Sequence, residues 1–398
     1  MAMKTELREK QWVEKYPDVG TEPLPTEPYL SQERFALERD LVFRRSWINV
    51  GRVDEIPGIG DYFVRDIAIC KASILVVRGS DGIVRAFHNV CSHRSNTLVL
   101  DERGTCPGRL NCHFHNWVYS DTGELLWVPD EENFFDLDKR DHGLTPVNMD
   151  IWEGFVFVHL DPEPAQTLQS YLGGVADQLA GCPFDKMPLS QTYRVEERAN
   201  WKVGLDAQNE LYHFPFQHRH VAGDAFRTND KRQSRYQDLR LYNYHSVWSC
   251  EYGESHKLTP IASTLYKFDG ILRAFTIPQM IGEMDFFTVF PNFVILLYQL
   301  GTSTSYLTYH FWPLAVDRTI WEIRVHFREP LSVRERIRQE YFKCISRDTL
   351  QEDTAMHEAV HSGLASRAKP HIILQDNEIA IRHFHKVMED RIGAGLPT

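Results

Sequence analysis

Two short knuckles constrain this chain more than any other feature. "CSH" carries Cys91 and His93, "CHFH" carries Cys112 and His115, and 18 residues separate His93 from Cys112. Turn-forming residues follow each pair, so the two loops can close on one metal centre. Two cysteines with two histidines can hold a structural zinc. They can also hold a [2Fe–2S] cluster, with two thiolates on one iron and two imidazoles on the other. A zinc finger groups like ligands together. Here each knuckle mixes one Cys with one His, so each iron of a cluster would draw a ligand from each loop. The knuckles sit among short alternating runs, "DYFVRDI", "SILVVRG", "IVRAFHNV" and "GFVFVHL", separated by "GSDG" and "SDTGE". That texture predicts an all-β unit of about 110 residues. "NWVYSDTGELLWVPD" reads as a hairpin whose Trp117 shields the centre, with Cys106 and His113 as bystanders.

A second constellation lies in "ANWKVGLDAQNELYHFPFQHRH". The E-x-x-H spacing predicts Glu210 and His213 one turn apart on one helical face. His213 and His218 are five apart, which a regular helix would splay. Pro215 between them should break the helix, letting both imidazoles converge. Two histidines and a carboxylate with open positions form the facial triad of non-haem Fe(II) oxygenases. A third motif, "HEAVH" at 357–361, matches the zinc-protease signature H-E-x-x-H. His371, His383 and His385 lie downstream, none in a recognised spacing for a further zinc ligand.

With both constellations in view, "CSHR" (91–94), "CHFHNWVYSDTGEL" (112–125) and "NWKVGLDAQNELYHFPFQH" together resemble the Rieske non-haem iron oxygenases, the aromatic ring-hydroxylating family, in their oxygenase component or α subunit. The resemblance implies that Cys91, His93, Cys112 and His115 hold the cluster and that His213 and His218 bind a mononuclear Fe(II). The family's third iron ligand is a distant aspartate, which "EDTAMHEAVHSGL" places at Asp353, leaving HEAVH as scaffold. Glu210 takes the position of the carboxylate that passes electrons from the cluster of one subunit to the iron of its neighbour. Many relatives have Asp there, and Glu is associated with quaternary-ammonium monooxygenases.

The resemblance also implies O2 as co-substrate and electrons from NAD(P)H through a separate reductase, with or without a ferredoxin. The chain has no nicotinamide or flavin fingerprint of its own. A head-to-tail homotrimer or another α3-type assembly is implied as well. Candidate pocket walls are Asp206, Phe214, Phe216, Phe287 and Asn292, with Phe286, Phe290 and Phe293 beside them. Such walls suit a small, largely apolar, aromatic substrate, hydroxylated once, cis-dihydroxylated or dealkylated. A quaternary ammonium, held by cation–π attraction, is the alternative.

Length fits two cores: 398 residues exceed one usual domain. The expected division is an N-terminal arm and helix (1–45) packing with the catalytic domain, a Rieske domain (46–163), and a mononuclear-iron catalytic domain (164–398). The arm carries four prolines in "PDVGTEPLPTEPY", then a helix starting at Ser31. Beyond "DPEPAQT", read as a linker, helical stretches flank β-type runs between about 235 and 328. The expected class is α+β with a broad antiparallel sheet flanked by helices, which in the family is a START/Bet v 1-like helix-grip. A net charge of −11 argues against nucleic acid. The longest apolar run, "FFTVFPNFVILLYQL", is too short to span a membrane. Seven cysteines without a disulfide pattern and a charged N-terminus point to the cytoplasm.

Overall fold

The computed structural model describes residues 10–218, 221, 236–251, 264, 276–300 and 303–395. It forms two compact units, Arg39–Tyr171 and the combination of Met1–Glu38 with Leu172–Thr398. Parts of the β-type stretch expected between 235 and 328 (252–263, 265–275 and 301–302) lie outside the described residues.

The Arg39–Tyr171 unit is built from strands. Its seven-stranded antiparallel sheet runs Ile48–Arg52, Phe155–His159, Pro146–Trp152, Val84–His88, Ala72–Arg78, Asp61–Ile67, Arg103–Thr105. Arg109–Asn111, Val118–Ser120 and Leu125–Trp127 make a three-stranded sheet. In Asp61–Ile67 the alternation expected of a half-buried strand is plain, with Phe63, Arg65 and Ile67 buried. Trp117, Tyr119 and Leu125 pack with Leu75, Val77 and Phe87 into one core that includes Cys91 and Cys112. Both ends of this unit are bonded into it: Arg44 donates to the Cys70 carbonyl (2.6 Å), and Trp47 Nε1 donates to the Gln166 carbonyl (3.0 Å).

The other unit carries a seven-stranded antiparallel sheet in the order Leu189–Glu197, Arg318–Phe327, Ser303–Ala315, Phe293–Leu300, Met284–Val289, Ser246–Cys250, Asp238–Leu241. The edge strand Leu189–Glu197 was not foreseen. Its burial is largely partial, as suits a polar edge, so its apolar signal is weak. A 33-residue helix, Val333–Ala365, starts at Ser332, whose hydroxyl accepts the Glu335 N–H (3.1 Å). In the N-terminal arm Leu24–Pro25 pair with His371–Ile372. Ser31 caps Gln32–Leu37 as expected, and a π-turn, Glu38–Val42, takes over from that helix.

One buried charge pair ties the arm to the helix Trp201–Ala207, the segment that leads to the second constellation. Lys202 Nζ meets Glu38 Oε1 at 2.6 Å, and Trp201 Nε1 donates to Glu38 Oε2 at 2.9 Å, with both charged side chains nearly inaccessible. Burial pulls the Lys202 pKa down and Glu38 resists that pull. Removing one member strands the other charge, the costly way to break such a pair. Lys202→Met is therefore expected to destabilise the fold by about 3 kcal/mol, read as a lower urea midpoint. Adding Glu38→Gln should recover most of the loss. A single variant with the parental midpoint would show that the pair is stability-neutral.

Candidate functional site

The two knuckles are the same turn built twice. In the first, Cys91 N–H bonds the Asn96 carbonyl (2.8 Å) and Ser95 N–H bonds the Cys91 carbonyl (3.0 Å). In the second, Cys112 N–H bonds the Trp117 carbonyl (2.8 Å) and Asn116 N–H bonds the Cys112 carbonyl (2.9 Å). Ser95 (φ 58°) and Asn116 (φ 55°), each four residues after its cysteine, are left-handed. Asn suits that conformation and Ser95 adopts it without that preference, and in both loops it bends the chain back over its own cysteine.

The thiols are buried, while His93 and His115 are half-exposed with ring centroids 4.6 Å apart. Trp117 stacks on His93 at 5.0 Å, the shielding expected of it. His113 is exposed. Burial works against a Cys112 thiolate, but the N–H groups of Phe114 and His115 and the Asn96 amide bring its pKa below the usual thiol value. Burial pushes Cys91 up, eased by the Tyr119 hydroxyl 3.2 Å from its sulfur.

A single tetrahedral zinc would draw four ligand atoms close around itself. In the knuckles like ligands from the two loops stand together, the Cys91 thiol against the Cys112 thiol and the His93 ring beside the His115 ring, the pairing that a two-iron cluster with a thiolate iron and an imidazole iron needs. His93 Nδ1 is buried without a hydrogen-bond partner, as a nitrogen reserved for a metal would be.

The second constellation converges by a different route from the one its spacing suggested. Glu210 and His213 do not share a helix. The helix Trp201–Ala207 has already ended, and Glu210 instead accepts the backbone N–H groups of Tyr212 and His213 and contacts His213 Nδ1. Pro215 does not break a helix. It occupies the first turn of Phe214–Gln217, where its missing N–H costs nothing. That short turn brings the imidazoles of His213 and His218 to 5.1 Å between centroids.

Each imidazole has a carboxylate at Nδ1 and turns Nε2 toward Asp353. For His213 the carboxylate is Glu210, and Nε2 is 3.7 Å from Asp353 Oδ1. For His218 it is Glu352 at 3.0 Å, with Nε2 3.2 Å from the same oxygen. His213 Nε2 is buried and has no hydrogen-bond partner. Two nitrogens and a carboxylate oxygen facing one point, each histidine backed by a carboxylate, fit a divalent iron. Gln217 Nε2 donates to Asp353 Oδ1 at 2.5 Å. Burial raises the Asp353 pKa, yet the neighbouring His218, His213 and His357 leave it below its usual value. Glu352, Gln217 and Tyr119 were all missed. Glu352 and Tyr119 stood inside quoted motifs, and Gln217 sat between the two histidines.

HEAVH lies on the long helix but gathers no metal group among the described residues. His357 Nδ1 faces Glu197 (3.1 Å), Glu358 pairs with Arg198 (2.9 Å), and His361 Nδ1 accepts the Asn200 N–H (3.3 Å). The zinc-protease alternative therefore finds no site here.

Of the wall residues, Phe214 alone packs against both imidazoles, at 4.8 and 5.6 Å. Phe216 is 57% exposed. Phe287 is buried but, as the strand neighbour of Phe286, points to the opposite face of the sheet. Asn292 is buried and donates to the Phe311 carbonyl (3.1 Å). Asp206 is committed to Tyr29 (2.5 Å) and His385 (3.0 Å). Beside Phe214 the structure puts Trp248 (6.2 Å) and Phe286 (6.4 Å), stacked on each other at 4.0 Å. Trp248 had no motif to announce it.

Comparison with known proteins agrees with this geometry. Residues 184–394 match the ring hydroxylating alpha subunit (catalytic domain) family, and residues 46–146 match the Rieske [2Fe-2S] domain. The chain is 27% identical over 377 residues, 92% of each protein, to the carnitine monooxygenase oxygenase subunit of Escherichia coli K12. It is 33% identical over 224 residues to the glycine betaine monooxygenase oxygenase subunit of Chromohalobacter salexigens, an alignment covering 55% of this chain and 49% of that one, about half its length. A solved quaternary ammonium Rieske monooxygenase shares the fold with a TM-score of 0.76 at 22% identity, covering 97% of this chain and 99% of that one. Naphthalene 1,2-dioxygenase from Rhodococcus sp. does so with 0.75 at 21%, covering 98% and 99%. Among the described residues no helix is long and apolar enough to cross a membrane. With a Rieske [2Fe–2S] domain and a mononuclear non-haem iron catalytic domain in one chain, the protein belongs to the ring-hydroxylating α-subunit family and is the oxygenase component of a Rieske mono- or dioxygenase.

Proposed function

We propose that Cys91, His93, Cys112 and His115 hold the [2Fe–2S] cluster, and that His213, His218 and Asp353 hold the iron at which substrate is oxygenated. The observation that carries the reading is the convergence of His213, His218 and Asp353 within 4.8 Å, with the buried Nε2 of His213 unbonded. Bound there, iron supplies O2 activation with electrons that originate in NAD(P)H and arrive through the cluster. The chain's own residues prepare for it. Glu210 and Glu352 each hold the Nδ1 proton of one histidine, which leaves both Nε2 lone pairs free for the metal. Gln217 fixes one oxygen of Asp353.

Glu210 is also the electron bridge in this reading. Its carboxylate grips His213 and would reach a cluster histidine, His93 or His115, of the next subunit in a head-to-tail homotrimer. The partners are a separate reductase, with or without a ferredoxin, and the place is the cytoplasm, where NAD(P)H is replenished.

For substrate we favour a quaternary ammonium or N-methyl compound undergoing monooxygenation. Relatives named for carnitine and choline, matched over 92% and 77% of their own length, support it, as does glutamate at the bridge. Phe214 packs against the iron histidines, and Trp248 and Phe286 stand behind it; aromatic rings of this kind hold a quaternary cation by cation–π attraction. The same rings favour a second reading, an arene substrate.

His213→Ala is expected to lose the mononuclear iron and all product formation while keeping the visible spectrum of the cluster, and turnover in that variant would refute the site. Glu210→Gln should keep both metal centres yet slow product formation by about 10- to 100-fold; an unchanged rate would remove Glu210 from the electron path. Supplied with NADH and a surrogate reductase, the enzyme should convert a trimethylammonium compound such as choline or carnitine, and mass spectrometry should detect no oxygenated naphthalene or indole. The opposite pattern selects the arene reading.

A further inference from the structure

The HEAVH segment is unused by the reaction, yet its polar side chains are unusually committed. His357 Nδ1 lies 3.1 and 3.3 Å from the two carboxylate oxygens of Glu197, with both side chains almost fully buried. Glu358 accepts from the Arg198 backbone (3.0 Å) and side chain (2.9 Å). His361 Nδ1 accepts the Asn200 N–H (3.3 Å). Residues 357, 358 and 361 thus grip 197, 198 and 200. Asn200 in turn caps the helix Trp201–Ala207, its side chain accepting the Lys202 N–H (3.1 Å). The clamp joins the start of the segment leading to Glu210, His213 and His218 to the helix bearing Asp353.

His357 stands one helical turn beyond Asp353, on the same face. Its ring is closely fitted. A Cβ at Gly204 would come within 3.4 Å of its Cε1 and 2.4 Å of Phe311, and Trp321 lies 5.3 Å away. Its Nε2 is buried without a hydrogen-bond partner.

We propose that His357 is a positioning residue for Asp353: clamped by Glu197, it fixes the depth and rotation at which this carboxylate meets His213 and His218. The proposal rests on the iron-site reading above. Glu358 and Arg198 form the exposed part of the clamp, where an ion pair contributes little. The buried Glu197–His357 contact is the part able to resist rotation of the helix. Burial opposes a charge on the His357 ring, but Glu197 and the nearby carboxylates of Asp353 and Asp206 lift its pKa above the ordinary value.

The test uses the full chain with its cluster intact by visible spectrum and its mononuclear metal removed by mild chelation, titrated anaerobically with Co(II). His357→Asn keeps a donor for Glu197 but loses the ring. It is expected to weaken Co(II) binding by about 10- to 100-fold, the scale on which losing a group that orients a ligand is felt, and to shift the Co(II) ligand-field bands. Glu197→Gln should move affinity and spectrum the same way, and the double variant should be no worse than His357→Asn alone, because the two act as one unit. Should His357→Asn lose its cluster, Glu197→Gln decides. Wild-type affinity and bands in the variants that fold would overturn the proposal. His213→Ala separates the two levels: if it binds Co(II) as tightly as the parent, the iron-site reading falls and the proposal with it. If His213→Ala binds weakly while His357→Asn binds normally, the positioning role alone is wrong.

Discussion

A carboxylate behind each imidazole is the constraint on which this structure turns. A histidine offered to a metal must present one ring nitrogen as a lone pair, and only a fixed proton on the other nitrogen guarantees it. Here Glu210 serves His213 and Glu352 serves His218. The two supporting acids come from different parts of the chain, although the histidines they support stand only five residues apart. Gln217 and Asp353, which bond directly, are 136 positions apart in sequence. The antiparallel sheet and the long helix exist, in energetic terms, to hold these segments together while their polar atoms stay satisfied.

The chain's ends take part in that task. Tyr29 from the arm and His385 from the C-terminal helix both bond Asp206, and Glu38 bonds Lys202 and Trp201. All of these contacts fall on the helix Trp201–Ala207. The residues just after it leave helical geometry, and this lets Glu210 fold back on the backbone of Tyr212 and His213. A regular helix at that point would satisfy its own N–H groups and leave no reason for the carboxylate to turn inward.

Much of this was legible in the residues. The mixed Cys/His knuckles, the strand texture around them, the Ser31 cap and the pairing of His213 with His218 all depend on local spacing, and local spacing is what a sequence displays. Glu210 and Pro215 were misread for one reason. E-x-x-H and a mid-segment proline were judged against an ideal helix, whereas the chain places a loop and then a fresh helix start, for which proline is well suited. The aromatic wall was harder. Phe286 and Phe287 look alike in sequence, but strand pleating sends them to opposite faces, and only the sheet register decides which one meets Trp248. Trp248 itself lies far from any motif. Its role follows from strand pairing, a non-local property that no window of residues contains.

The long helix has a further consequence. At 1.5 Å and 100° per residue, Val333–Ala365 is a rod about 50 Å long whose every position is indexed by its distance from Asp353. On its first turns Val333, Arg334, Arg336 and Ile337 are exposed, while Glu335, Arg338 and Gln339 are buried. Substitution at the exposed positions should be cheap. Insertion is another matter: one added residue before Asp353 turns the rod by 100° relative to its own start, so either the capped beginning or the half that carries Asp353 must leave its seat. At those exposed positions the chain is free to change its letters but not their number.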